Sequence, residues 1–382
     1  MSSSDRGTVV LLQAKQALGR EGLAEFAATV AAAGAGLRIL RTGELNMVRD
    51  GDVPQPDTAV EQIADLAEWR SLLPSDTRAI VTNDEYLLGL ARELCLERGL
   101  ATTIPGSWAN YRHKGVMRRL LEAAGVPVTE SLIVTGGRTE NAGGAAEFAA
   151  ADRVVVKPAA EANLRGIRIE RFAEVAAAEL GDGLIERELT GPQYHSEVLV
   201  VDGVVTPLFS GRYIRSLLDL TRGIPSGSAR VEPALETLLA DLAVRTCAAL
   251  GLDGTFTAHV EYLSATDDPA DIVVSEVCAR ASGGEVPFQS RVIAGVDLEA
   301  LNLALQAGLP CAEPKIDERA SAGWLWHVGR PVAGAERIAE LGVEAVFDSI
   351  KLGGRARLSG DSVDNVMSAL EILAAVNEGY SG

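Results

Sequence analysis

Aromatic side chains are scarce, at 4% of the 382 residues. Base stacking on aromatic faces, the usual means of holding single-stranded nucleic acid, is therefore not expected. An excess of positive charge is missing too. The formal net charge is -18, whereas affinity for nucleic acid rests on basic side chains that neutralise phosphates. No nucleic-acid partner is expected, and any phosphate site has to be a local basic pocket in an acidic molecule. The four cysteines, Cys95, Cys247, Cys278 and Cys311, form no C-x-x-C pair. Neither a disulfide framework nor a zinc site is visible, as in a reducing compartment. No run approaches the ~18 apolar residues of a membrane span. The N-terminal MSSSDRGTVVLLQAKQ lacks a basic flank and a convincing cleavage site. A cytoplasmic protein with no membrane partner is expected. There is no internal repeat, and no G-x-G-x-x-G follows the first apolar run, so a dinucleotide site is unsupported.

What is present is ordinary globular material, 47% hydrophobic and 23% charged, long enough for about two to four domains. Thr8 to Leu12, Leu37 to Leu40 and Ala79 to Thr82 read as short buried strands. They alternate with helical stretches at Gly22 to Ala33 and Glu85 to Arg98. That alternation predicts a parallel α/β, Rossmann-like domain over about the first hundred residues. Lys114 begins an amphipathic helix that Gly125 caps and Pro127 stops. Strands are expected at Ser131 to Thr135, at Arg153 to Lys157 and around Glu186. Asp202-Gly203 is a strong hairpin signal after Ser196 to Val201. Pro233 to Leu250 and Leu298 to Gln306 read as helices. The C-terminal region holds strands at Ala322 to Val328 and Ala345 to Ile350, then a helix over Val363 to Asn377.

The stretch that organises the rest is Thr255 to Glu285, read as two strands joined by the turn-formers SATDDPAD. Residues two apart share a face of a strand, so His259 and Glu261 point one way, as do Glu276, Cys278 and Arg280. If the strands pair, two carboxylates and a guanidinium converge. That is a plausible cage for Mg²⁺ carrying phosphate, against the bland alternative of a polar solvent face. Upstream, Lys157 ends a VVV strand just before Pro158, at the root of a loop that could lay backbone N–H groups over a phosphate.

The order of these features, a lysine before a helix, a lysine at a strand end, a hinge with a glutamate, then two acidic strands with an arginine, resembles the ATP-grasp superfamily. Within it, H-x-E followed by E-x-x-x-R and G-G is similar to the pattern of the carboxylate–amine ligases that include L-amino-acid (dipeptide) ligases. The resemblance covers roughly residues 80 to 310. It implies an α/β (α+β) ATP-grasp fold in three parts: an N-terminal Rossmann-like pre-ATP-grasp domain over 1–110, a core over 111–310 with a small lid subdomain at about 150–212, and a C-terminal α+β extension over 311–382. It implies that Lys114 and Lys157 hold the ATP phosphates. Glu186 would accept from the adenine amino group, Glu188 and Leu189 form the hinge at the ring edge, and Gln193 meets the ribose. Glu261 and Glu276 would ligate Mg²⁺ (or Mn²⁺), and Arg280 would steady the transferred phosphate.

The implied reaction forms an amide or dipeptide from an amino acid and an amine or second amino acid, through an acyl phosphate, with release of ADP and phosphate. The alternatives are a ligase or carboxylase with a different acceptor, and a non-catalytic ATP-binding regulatory subunit. A homodimer is expected at superfamily level only. Two positions depart from the family. Cys278 stands where asparagine is usual, and a thiol is a poor ligand for Mg²⁺. The loop after Lys157 is poorer in glycine than usual. Thr135 to Gly144 and Gly223 to Ser228 are read as glycine-rich hinges of a lid over Arg153 to Ser210. His259 is read as an orienter of the carboxylates before a general base, and Cys278 as no nucleophile. Arg212, Tyr213, Arg215 and Arg291 are candidates for contact with a substrate carboxylate, weighed equally against ion pairs.

Overall fold

A computed structural model describes residues 7–16, 18–42, 59–63, 68–142, 147–175, 180–350 and 353–378 of the chain. The apolar runs near the N-terminus become a parallel sheet of β1 (Thr8–Gln13), β2 (Gly36–Thr42), β3 (Ala59–Ile63) and β4 (Thr77–Val81), in the order β3-β2-β1-β4. A strand covered on both faces carries apolar residues on both, and Val9 to Leu12 are all buried. Val9 and Leu11 pack with Leu23, Phe26 and Val30 of the Arg20–Ala32 helix. Val10 and Leu12 join the cluster that holds Leu88, Ala91 and Leu94 of the Leu88–Glu97 helix. The expected parallel pairing of these strands is present. The second helix starts three residues later than expected, which leaves Glu85 on the loop before it.

A small antiparallel sheet follows: β5 (Ser131–Thr135), β6 (Arg138–Ala142), β7 (Arg153–Pro158), β8 (Arg168–Arg171) and β9 (Gly183–Arg187), ordered β6-β5-β9-β7-β8. The stretch read as a linker from Thr135 is instead a hairpin. Gly136 and Gly137 adopt positive φ of 56° and 76°, and Arg138 pairs back with Thr135. Gly143 and Gly144 lie outside the described residues.

The remaining strands build one eight-stranded antiparallel sheet: β10 (Gln193–Val201), β11 (Val204–Tyr213), β12 (Ser226–Arg230), β13 (Phe256–Leu263), β14 (Val273–Cys278), β15 (Ser321–Val328), β16 (Glu344–Ile350) and β17 (Gly353–Gly360). Their order is β14-β13-β10-β11-β12-β15-β17-β16. At the β10–β11 turn Asp202 and Gly203 both have positive φ, the type I′ geometry that Asp-Gly favours.

This sheet corrects three expectations. First, Ser226–Arg230 is no hinge but a fully buried strand between β11 and β15. Second, β10 and β11 belong to the large sheet, so the separate small sheet spans 131–187 and not 150–212. Third, the strands after residue 311 extend the large sheet through β12–β15 pairing. The turn-rich composition of Gly223 to Ser228 hid the first, because small residues at Gly227 serve close strand approach: a Cβ there would sit 1.8 Å from the Trp324 carbonyl oxygen. The Val286–Ala294 helix and β17 were not anticipated. Among the described residues no helix is long and apolar enough to cross a membrane.

Candidate active site

β13 and β14 run antiparallel with Glu261 directly opposite Glu276 and His259 opposite Cys278. Val260 and Val277, also opposite each other, are fully buried on the other face. Alternation along both strands thus drives the valines into the core and leaves the carboxylates together on the second face. That face lines a cavity of about 490 Å³. Lys114, Lys157, Glu186, Glu188, Leu189, Gln193, Glu261, Glu276 and Arg280 all line it. With Gln16, Asn83 and Glu85 from the loops after β1 and β4, residues of the N-terminal part, the small sheet and the large sheet meet around one space.

Both lysines are buried and tied to carboxylates. Lys114, the first residue of the Lys114–Ala123 helix, places Nζ 2.6 Å from Glu276 Oε1 and donates to the Glu161 carbonyl at 2.7 Å. Burial works against its charged form, but the charges of Glu276 and Glu85 outweigh that and raise its pKa. Lys157 Nζ, at the end of β7, lies 2.5 Å from Glu186 Oε2 and 3.2 Å from Ser275 Oγ. Arg118 also bonds Glu186. Burial pushes that carboxyl up, yet Lys157 and Arg118 hold it below the ordinary range. Glu186 in this structure is thus the counter-ion of Lys157. Glu188 pairs with Arg153 at 2.5 Å, and Gln193 Oε1 accepts from the Leu217 N–H at 3.3 Å.

The loop after Lys157 manages without the usual glycines by strain. Asn163 and Leu164 take positive φ of 55° and 61°, a conformation costing a β-carbon residue such as leucine about 1–2 kcal/mol. The loop is held from outside. Ala162 N–H donates to Tyr86 Oη at 3.0 Å, Tyr86 Oη donates to Glu161 at 2.8 Å, and Arg112 donates to the Ala160 carbonyl.

Glu85 was missed from sequence. It is buried and receives Arg112 Nη1 at 3.0 Å, Arg280 Nη2 at 3.0 Å and Cys278 Sγ at 3.2 Å. Burial alone would raise its pKa, and the two guanidiniums lower it instead. The available signal was the polar run Asn83-Asp84-Glu85 immediately after a buried parallel strand, where ligands gather in α/β sheets. Asp84 accepts the N–H groups of Ala14, Lys15 and Gln16, and Asn83 accepts from the Ala281 N–H at 3.1 Å. The Asp84 bonds hold the loops after β1 and β4 together, and the Asn83 bond ties them to the segment carrying Arg280.

Cys278 finds its reason here. Burial, then the nearby Glu85 charge, raises its thiol pKa well above the ordinary value. In this structure the thiol donates to Glu85, and its Sγ also lies within 4.8 Å of carboxylate oxygens of Glu85 and Glu276. Of the four candidates for substrate-carboxylate contact, Tyr213 lines the cavity. Arg212 lies 3.7 Å from Asp267, Arg215 2.8 Å from Glu378 and Arg291 2.6 Å from Glu21, the ion-pair outcome.

No family model matches the sequence, and no curated protein matches it. Solved structures do. An L-amino acid ligase from Bacillus licheniformis superposes with a TM-score of 0.67 at 17% identity, over 97% of this chain and 98% of that one. Carboxyaminoimidazole ribonucleotide synthase from Aspergillus clavatus, complexed with ATP, gives 0.67 at 13% identity, over 98% and 99%. A biotin carboxylase from Campylobacter jejuni gives 0.61 at 13% identity, over 97% and 92%. Agreement over nearly the whole length of ligases and carboxylases alike settles the architecture: the chain has the ATP-grasp fold.

Proposed function

We propose that the protein is an ATP-dependent carboxylate–amine ligase that joins an amino acid, through its carboxylate, to an amine or a second amino acid. The observation that carries this reading is the opposed pair Glu261 and Glu276 in one cavity with Lys114, Lys157 and Arg280. A carboxylate does not condense with an amine at neutral pH, because its oxygen is a poor leaving group. Transfer of the γ-phosphoryl group to that oxygen makes an acyl phosphate; the amine then attacks the carbonyl carbon, and phosphate leaves. The protein's share is to position the groups and neutralise their charge.

The donor set fits a hard cation, since Glu261 and Glu276 offer carboxylate oxygens and the soft Cys278 is engaged elsewhere. Glu261 and Glu276 would hold Mg²⁺ or Mn²⁺, which supplies charge neutralisation between phosphate oxygens. Lys114 and Lys157 would exchange their present carboxylate partners for phosphate oxygens. Arg280 stays charged, because Glu85 grips it and burial does not offset that attraction. Two guanidiniums share the one Glu85 carboxylate, so positive charge is left over for an oxyanion. The small sheet would act as the lid that excludes water from the acyl phosphate.

The test is phosphate release from ATP with amino acids supplied in pairs, with mass spectrometry of the products. ADP and phosphate should appear only when both substrates are present, and Glu276→Ala should abolish them. Turnover unaffected by that substitution would sink the proposal. ATP binding with no turnover across a broad panel would favour a non-catalytic role, and a bicarbonate requirement a carboxylase.

A further inference from the structure

Beneath the carboxylate pair, buried polar side chains run across the large sheet from β12 to β13. Ser228 Oγ lies 2.7 Å from His195 Nε2, and His195 Nδ1 lies 3.0 Å from Glu197 Oε1. The same oxygen lies 2.6 Å from His259 Nδ1, and His259 Nε2 lies 3.3 Å from Glu261 Oε1. His195, Glu197 and Ser228 are fully or almost fully buried. Glu197 Oε2 is buried with no hydrogen-bond partner. The intervening strand β11 makes way for this run. Gly211 lies opposite His195, and a Cβ there would fall 2.3 Å from His195 Nε2 and 2.6 Å from Ser228 Oγ. Any other residue would break the bond between them.

A carboxylate buried inside a sheet is costly unless fully paired, and half of Glu197 is not. What it secures is the orientation of one imidazole. An ionised carboxylate only accepts, so with one at each ring nitrogen His259 donates Nδ1–H to Glu197 and Nε2–H to Glu261, as the imidazolium. The trio His195, Glu197 and His259 is also close enough to share an ion. The 2.6 Å contact nevertheless has the length of a charge-assisted hydrogen bond, whereas ligands each ~2.0–2.2 Å from one zinc sit farther apart.

We infer that Glu197, acting through His259, is a positioning residue for Glu261: the imidazole holds Glu261 Oε1, so that the carboxylate presents Oε2 to the cation. The inference rests on the ligase reading, in which Glu261 is a cation ligand. Partners of this kind typically change metal affinity by about 10–100-fold.

The test titrates Mn²⁺, followed by its electron paramagnetic resonance signal, with and without a non-hydrolysable ATP analogue. His259→Leu and Glu197→Gln should each weaken Mn²⁺ binding by about tenfold or more. His259→Gln, whose amide N–H can still donate to Glu261, should recover most of it, to within about threefold of wild type. Analogue affinity without metal should stay within about twofold in all three. Equal loss in the two His259 variants overturns the inference, as does wild-type Mn²⁺ affinity in folded Glu197→Gln. One equivalent of zinc held by the wild type and lost in Glu197→Gln overturns it too. Absence of analogue binding to the wild type counts against the ligase reading, while the titrations with Mn²⁺ alone still judge Glu197.

Discussion

Single side chains at this site are set by their partners more than by their own chemistry. Arg280 is held through Nε and Nη2 by one carboxylate, Glu85 Oε2, at 3.3 and 3.0 Å. Lysine cannot reproduce that planar fork. Arg280→Lys should lower kcat by about 100-fold or more while ATP affinity changes little, a loss of transition-state charge stabilisation read from steady-state kinetics. Equal loss in both would place Arg280 in ground-state binding instead. The buried pair His259 and Glu197 gives a stability signature. Burial opposes the charged imidazole, but Glu197 and Glu261 raise its pKa to about 10 from 6.5. Glu197 goes to about 2 from 4.5, because His259 and His195 outweigh burial. The raised histidine contributes stability that is complete below its unfolded pKa and lost as pH rises through about 10. The depressed carboxylate contributes stability lost as pH falls through about 2. Thermal unfolding of the wild type should therefore drop on the alkaline side near the histidine limit. His259→Leu should lack that component, and identical alkaline profiles would refute it.

At the scale of elements, two backbone features do the positioning. The loop after β7 carries Leu164 at a φ of 61°. Glycine has no β-carbon to clash there, so Leu164→Gly should stabilise the protein by about 0.5–1 kcal/mol in urea unfolding. A loss would show that the Leu164 side chain, which lines the cavity, contributes more by packing than it costs in strain. The β12–β15 contact is less forgiving. With 1.8 Å between a Cβ on Gly227 and the Trp324 carbonyl, Gly227→Ala should destabilise by about 3 kcal/mol. The faces of β13 and β14 were readable from alternation, since valines alternate with the glutamates on both strands, whereas their register, with its irregularity between Glu261 and Tyr262, was not. The strand at Ser226–Arg230 was not readable. Its residues are small and turn-like, and its burial arises only because Trp324 and Leu325 pack against it from a hundred residues away.

The whole molecule explains why the site is stiff in one direction and open in another. The N-terminal sheet shares a continuous apolar core with Val198, Val260 and Val277 of the large sheet. It shares another with Leu303 and Ala304 of the Leu298–Gln306 helix. Among the described residues the small sheet has two buried clusters, Ile133, Ala142 and Leu184 in one and Val134, Val154 and Ile185 in the other, the second joined by partly buried residues such as Leu132, Phe148 and Phe172. These are the smallest buried clusters among the described residues, which marks the small sheet as the part that opens at least cost. Hydrogen exchange in 131–187 should therefore slow on addition of ATP and Mg²⁺, with β10 and β13 unchanged; equal protection in both sheets would argue against a separate lid.

Sequence alone determined what local chemistry determines: the parallel N-terminal strands, the Asp-Gly hairpin, the lysine that opens a helix, and the strand faces that His259 shares with Glu261 and Glu276 with Cys278. Period-two and helical spacing, with turn residues, suffice for those, because each depends on neighbours a few residues away. Glu85, the protonated Cys278 and the His195–Glu197–His259 run were decided by tertiary structure. Each depends on strands or loops distant in sequence that bring charge into a buried space. There the sign of a pKa shift, and the role that goes with it, follows from whichever partner arrives.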